Sequence, residues 1–118
     1  DVGVEHALGV METKKNRAFF VNILTDIVPC CDCYGFSDAP IVPDIGFAAS
    51  TDPVALDACC VDLVNAQIGL KDSALKGGFL PNEPKFAHVH EELDTSVKLE
   101  YAREIGLGNP VYERIVLD

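Results

Sequence analysis

The chain has 118 residues, is 48% hydrophobic and carries 19 acidic against 9 basic side chains, for a formal net charge of −10. This length and apolar content suit one compact domain, 1–118, and the scattered negative charge disfavours nucleic acid and anionic membranes as partners. No apolar run approaches the roughly 20 residues that a membrane-spanning helix needs, so membrane insertion is not expected. The chain begins at Asp1 and enters a helical pattern almost at once, which indicates a processed piece or a domain of something longer.

The first half of the chain predicts a helix, a strand and a long connection. Val4, Leu8 and Met11 recur at helical spacing. Residues 18–25 are apolar and rich in β-forming side chains, which predicts a buried strand. The proline- and glycine-containing connection that follows carries three cysteines, and such a long irregular segment in a small domain is usually functional or disordered.

The second half of the chain predicts further alternation of helix and strand. Residues 45–50 predict a second buried strand, after which Asp52 caps a second helix that continues to about residue 66. Residues 94–105 predict a third helix and residues 111–117 a closing strand. The order of elements therefore predicts an α/β fold, with a small, partly parallel or mixed sheet packed by about three helices.

The run Cys30-Cys31-Asp32-Cys33 is the strongest chemical signal in the sequence. Five cysteines, including two adjacent pairs, suit internal disulfides poorly and favour a reducing compartment, so we expect a cytoplasmic protein. Thiolate is a soft ligand that suits an iron–sulphur cluster or zinc. Cys31 and Cys33 are the main candidate ligands and Cys30 is a weaker third. Redox-active thiols and inert structural cysteines are the alternatives.

Two other groups of ligand-type residues carry a weaker signal. Cys59 and Cys60 share one helical arc with Leu56, which predicts core positions. The spacing of His88 and His90 is compatible with zinc. Nothing in the sequence brings these histidines to the cysteines, so exposed loop positions are the preferred interpretation.

Hydroxyl and carboxylate side chains are candidates for shaping a site. The junction 50–53 joins a buried strand to a helix N-terminus, whose free N–H groups can hold a phosphate or carboxylate. If the first two strands are parallel neighbours, this junction and the cysteine segment lie at one sheet edge. Each of these carboxylates also has a structural explanation that competes with ligand binding: Asp52 can simply cap the helix, and Asp38 can stabilise a turn. The candidate ligand-binding or site-shaping residues are Asp32, Ser37, Asp38, Asp44, Ser50, Asp52 and Asp57.

Two ordered segments carry a resemblance to a known family: PCCDCYGFSDAPIVPDIG at 29–46 and ASTDPVALD at 49–57. They resemble the C-terminal part of an uncharacterised prokaryotic family, domain of unknown function family 362, often fused to or encoded with bacterial-type ferredoxin modules. The likeness continues through 101–108. It implies that residues 1–118 are the C-terminal fragment of a longer iron–sulphur-associated protein. In that parent a 4Fe–4S cluster is the implied cofactor, and a ferredoxin-type module or redox partner is the implied partner.

Three functions are compatible with these observations. The leading hypothesis is a domain of an iron–sulphur protein in which Cys31 and Cys33 bind a metal or cluster and support electron transfer or redox chemistry. The alternative is an enzyme domain that binds a small anionic substrate at the strand-to-helix junction, with reactive thiols as nucleophile or redox pair. The third is an interaction domain whose cysteines are structural.

Overall fold

The computed structural model describes all 118 residues and contains three α-helices and one two-stranded sheet. This content confirms the predicted α/β class. None of the helices combines the length and the apolar character needed to cross a membrane. In chain order the elements are α1 (Val2–Glu12), β1 (Phe20–Leu24), β2 (Gly46–Ser50), α2 (Pro53–Asn65), a short 3-10 turn (Phe86–His88) and α3 (Thr95–Glu104).

The sheet is antiparallel, where the sequence predicts a partly parallel or mixed one. At the end where β1 stops and β2 starts, the backbone N–H of Ile45 donates to the carbonyl of Leu24 at 2.8 Å. The connection between the strands contains no helix to carry the chain back to a parallel start, and parallel pairing needs such a crossover. The parallel arrangement that would bring the cysteine segment and the 50–53 junction to one edge is therefore absent.

Contacts between Cα atoms group the residues into two compact units. The first unit comprises Asp1–Asn22, Ala48–Val61 and Thr95–Asp118. Within it, α1 and α3 pack against each other, and the Tyr101 hydroxyl donates a hydrogen bond to the Glu5 carboxylate.

The second unit, Ile23–Phe47 with Asp62–Asp94, has its own apolar core. The buried apolar side chains at its centre are Ile41, Val42, Val64 and Leu75. Backbone hydrogen bonds hold Ile41 in place, since its N–H donates to the carbonyl of Ile27 and its carbonyl accepts from Leu70, both at 2.8 Å. The long connection is thus ordered by burial of its own apolar residues, although it contains no helix or strand.

The predicted closing strand is wrong. Residues 109–118 adopt no regular structure apart from a bend at Pro110, and Val111, Ile115 and Leu117 are exposed. A strand needs a neighbouring strand to satisfy its backbone groups, and no strand pairs with this segment. The alternation of apolar residues alone does not supply that neighbour.

Candidate functional site

The cysteine run forms a tight surface turn. The backbone N–H of Tyr34 donates to the carbonyl of Cys31 at 3.0 Å, which closes a four-residue turn. The turn exposes Cys31 and Cys33 to solvent, whereas Cys30 is half-buried. All three are free thiols. The turn therefore presents two thiols where a metal or an oxidant can reach them.

Cys31 and Cys33 affect each other's ionisation. Two groups of Cys33 stabilise the Cys31 thiolate and lower the pKa of Cys31. The larger effect comes from the backbone N–H of Cys33 and the smaller from its thiol. Hydrogen bonding with the Cys31 side chain in turn raises the pKa of Cys33. Because the thiolate is the form that binds soft metals and attacks disulfides, the lowered pKa of Cys31 favours its reactive form.

The segment just before the turn is held by His90. Its Nε2 lies 2.7 Å from the carbonyl oxygen of the buried Pro29. Because a carbonyl oxygen only accepts, Nε2 carries the hydrogen in this bond. His88 instead packs against Gly77. The approach is so close that a Cβ atom on residue 77 would lie 2.7 Å from His88 Nδ1. The two histidines therefore do different structural work and do not converge as a ligand pair.

The acidic residues of the connection mainly stabilise its backbone. Asp38 Oδ1 accepts the N–H of Ala39 at 2.7 Å, and the Ser37 hydroxyl donates to the Asp38 carbonyl at 3.4 Å. Asp44 Oδ1 accepts the N–H of Asp26 at 2.9 Å. The bond from the Ala39 N–H to Asp38 is the arrangement that turn stabilisation by Asp38 predicts. In the whole chain, no three His, Cys, Asp or Glu side chains form a group that could hold a metal ion.

At the start of α2, the carboxylate of Asp52 occupies the helix N-terminus. Its Oδ1 accepts the N–H groups of Val54 and Ala55 at 2.8 and 3.0 Å, and its Oδ2 accepts the N–H of Asn109 at 2.9 Å. The Ser50 hydroxyl oxygen in turn accepts the Asp52 N–H at 3.0 Å. The N–H groups that would bind an anion are therefore already bonded, as the capping explanation predicts.

On α2, Cys59 and Cys60 are buried, which confirms their prediction as core residues. Asn22 Nδ2 donates to Asp57 Oδ1 at 3.1 Å and to the Cys60 sulphur at 3.4 Å. Burial raises the pKa of Cys60 and keeps this thiol protonated. Asp57 is exposed and its partner is an amide, so the bond ties α2 to β1.

One buried charge was missed by sequence reasoning. Lys85 is fully buried, and its Nζ donates to the carbonyl oxygens of Asn65, Leu80 and Glu83 at 3.0, 2.8 and 2.9 Å. Burial lowers the pKa of Lys85. Its three bonds use all three ammonium hydrogens, which makes Lys85 a structural residue that holds the end of α2 to the following loop. Nothing in the local sequence signals this, because a lysine in a polar loop is ordinarily exposed.

The fold and the turn define a small α/β protein that displays a pair of exposed thiols. Residues 4–62 match the family described as domain of unknown function (DUF362). This stretch is half of the 118-residue chain and includes the sheet and the cysteine turn, so the chain belongs to the DUF362 family. No curated protein and no solved structure matches the chain. The predicted family is thereby confirmed, whereas its ferredoxin association and prokaryotic origin stay predictions.

Proposed function

We propose that the Cys31-Asp32-Cys33 turn supplies two thiolate ligands to an iron–sulphur cluster, or alternatively to zinc, in a cytoplasmic protein that carries out electron transfer or redox chemistry. The observation that supports this most is the exposure of two free thiols, two residues apart, in one tight turn. Iron and zinc both accept such soft donors.

The remaining ligands come from outside this group of side chains. A structural zinc ion and a 4Fe–4S cluster each take four protein ligands, and no third side chain of ligand type joins Cys31 and Cys33. We propose that a ferredoxin-type module of the parent chain, or a separate redox partner, supplies them. An exposed turn suits this shared ligation because a partner can approach the sulphurs directly. Half-buried Cys30 is the weaker candidate for a third ligand.

The acidic side chains of the connection would tune such a centre. Asp32 lies between the two ligands, and its charge acts against ionisation of Cys31. Negative charge near cluster sulphurs lowers the reduction potential, because it disfavours the added electron. Asp38 and Asp44 shape the site indirectly through the backbone N–H groups that they accept.

The test is the metal and sulphide content of the chain, prepared anaerobically and reconstituted with ferrous iron and sulphide or with zinc, in the presence of a small thiol that can occupy the coordination positions assigned to the partner. Cys31→Ser and Cys33→Ser are compared with the wild-type chain and with Cys59→Ala, which removes a buried thiol. We expect stoichiometric metal in the wild type and the control, and its loss in both turn variants. Equal metal content in all four proteins, or none in the wild type, would refute the proposal.

A second candidate function, dithiol oxidation, is favoured by the exposure of two free thiols in one turn, together with the lowered pKa of Cys31. In this reaction the Cys31 thiolate attacks a low-molecular-weight disulfide and releases one thiolate. The Cys33 thiol then loses its proton to solvent and attacks the Cys31 sulphur. The second small thiolate leaves, so the dithiol is oxidised to a disulfide and the small disulfide is reduced to two thiols.

Mass spectrometry separates this function from metal binding. Metal-free protein treated with oxidised glutathione should lose two hydrogens and release both glutathione halves. Cys33→Ser should instead stop at the mixed disulfide on Cys31. A wild-type chain that also stops at the mixed disulfide would exclude the dithiol reaction.

A further inference from the structure

The cysteine turn offers half of a tetrahedral metal site. Cys31 and Cys33 are both exposed and free, and no three His, Cys, Asp or Glu side chains of the chain form a group that could hold a metal ion. A structural zinc ion takes four ligands, so an ion that binds both thiolates of one turn keeps two positions open. A second pair of thiolates would close the site.

A second copy of the chain carries that pair. In a two-fold dimer each copy presents the same surface to the other, so the thiols of one turn meet the same thiols of the other turn at the axis. An ion on the axis then has four thiolate ligands, which is one of the ligand sets that structural zinc sites use. Each copy contributes the same half of the site.

We propose that two copies of this chain share one tetrahedral divalent ion of the zinc type, with Cys31 and Cys33 of each copy as its four ligands. The proposal rests on the ligand role of these cysteines under the proposed function, and it makes a second copy the separate partner that completes the site. Residues 31–36 are all exposed, so no part of the turn has to move aside before a second copy approaches.

Two aromatic rings that follow the thiols in the chain add an apolar contact. Tyr34 and Phe36 are 60% and 65% exposed, and their ring centroids lie 6.0 Å apart. The exposed parts of two such rings amount to on the order of 250 Å² per copy, whereas a stable protein interface buries about 800 Å² per partner. The rings alone are too small a contact to hold two copies together, so the dimer needs the metal.

Charge also makes the dimer depend on the metal. Asp32 is exposed between the two cysteines, and residues 23–47 carry four aspartates and no lysine or arginine. Two metal-free copies would bring like charges together and repel each other. An ion that binds thiolates of both copies outweighs this repulsion. Association should therefore require metal and should strengthen with salt, which screens the remaining repulsion.

Sedimentation equilibrium of the metal-free chain, titrated anaerobically with Co²⁺, tests the proposal. A phosphine reductant keeps the cysteines reduced without adding a thiol ligand. We expect the mass to double at about 0.5 Co²⁺ per chain, together with a sulphur-to-cobalt absorption band. A chelator should return the monomer. An excess of 2-mercaptoethanol should give a monomer that keeps the band, because small thiols replace the second copy.

Matched variants test the aromatic contact and the charge. Phe36→Ser should raise the dissociation constant of the cobalt dimer roughly tenfold, because each copy loses an apolar ring from the interface. Phe19→Ser, at a position that is 67% exposed, should leave this constant unchanged. Asp32→Asn should lower it roughly threefold by removing like charge beside the ion. Asp72→Asn removes the same charge at another exposed position and should have no effect.

The outcomes separate the shared site from the proposed ligand role of the two cysteines. A chain that binds Co²⁺ as a monomer without added thiol would overturn the shared site and leave joint ligation by Cys31 and Cys33 intact. A chain without the cobalt band would overturn both. A mass that doubles without metal, or an equal response to Phe36→Ser and Phe19→Ser, would also refute the shared site.

Discussion

Replacing Lys85 by Met should destabilise the chain strongly. Met preserves most of the apolar stem but removes the ammonium group, which donates to three carbonyl oxygens at 2.8 to 3.0 Å. Hydrogen bonds from a charged donor contribute roughly 1.5–3 kcal/mol each, so the gross loss from three bonds is about 4.5–9 kcal/mol. Removing the charge also relieves a desolvation cost of several kcal/mol. We therefore expect a net loss of about 3–5 kcal/mol.

The assay is urea unfolding followed by far-ultraviolet circular dichroism, with the free energy of unfolding obtained by linear extrapolation. The matched control is Lys76→Met, because Lys76 is exposed and only its ion pair with Glu91, at 3.5 Å, is lost. That change should cost less than about 1 kcal/mol. If Lys85→Met also falls within about 1 kcal/mol of the wild type, the three carbonyl bonds do not stabilise the fold and the reasoning is wrong.

Three further predictions concern Lys85, Asp52 and the cysteine turn. Burial lowers the pKa of Lys85 in the folded chain below the ordinary value of 10.5. Between these two pKa values the unfolded chain binds more protons than the folded chain, so the free energy of unfolding should rise with pH. Urea titrations at several pH values should show this rise in the wild type and not in Lys85→Met. Asp52→Ala removes a cap and the bond to Asn109, so thermal and urea unfolding should show a loss of about 2 kcal/mol, and a loss under about 0.5 kcal/mol would contradict this role. In metal-free protein, iodoacetamide should modify Cys31 at lower pH than Cys33, as measured by peptide mass spectrometry, because the pKa of Cys31 is lowered and that of Cys33 is raised. The reverse order would contradict these two directions.

The parts of the fold that depend on neighbouring residues could be predicted from the sequence. The start of α2 is one example, because Asp52 bonds to N–H groups two and three residues later. Burial of Cys59 and Cys60 is another, since helical spacing places them on one arc with other apolar residues. The family resemblance also came from short ordered motifs and is confirmed over residues 4–62.

The parts that depend on distant residues could not be predicted. Antiparallel pairing of β1 and β2 follows from how the connection folds back, and the strand expected at 111–117 lacks a neighbour to pair with. The burial of Lys85 requires three carbonyl oxygens that come together only in the folded chain. The cysteine turn falls between these cases, because the turn itself is local, whereas the remaining ligands of a metal bound there would be distant.

Whether Cys31 and Cys33 bind a metal together is tested most directly by anaerobic titration with Co²⁺, because thiolate ligation gives an intense sulphur-to-cobalt absorption band. The band should appear in the wild-type chain and be lost in both Cys31→Ser and Cys33→Ser. Cys59→Ala should keep it, since that thiol is buried. A wild-type chain without the band, or a single turn variant that keeps its full intensity, would contradict joint ligation by the two thiols.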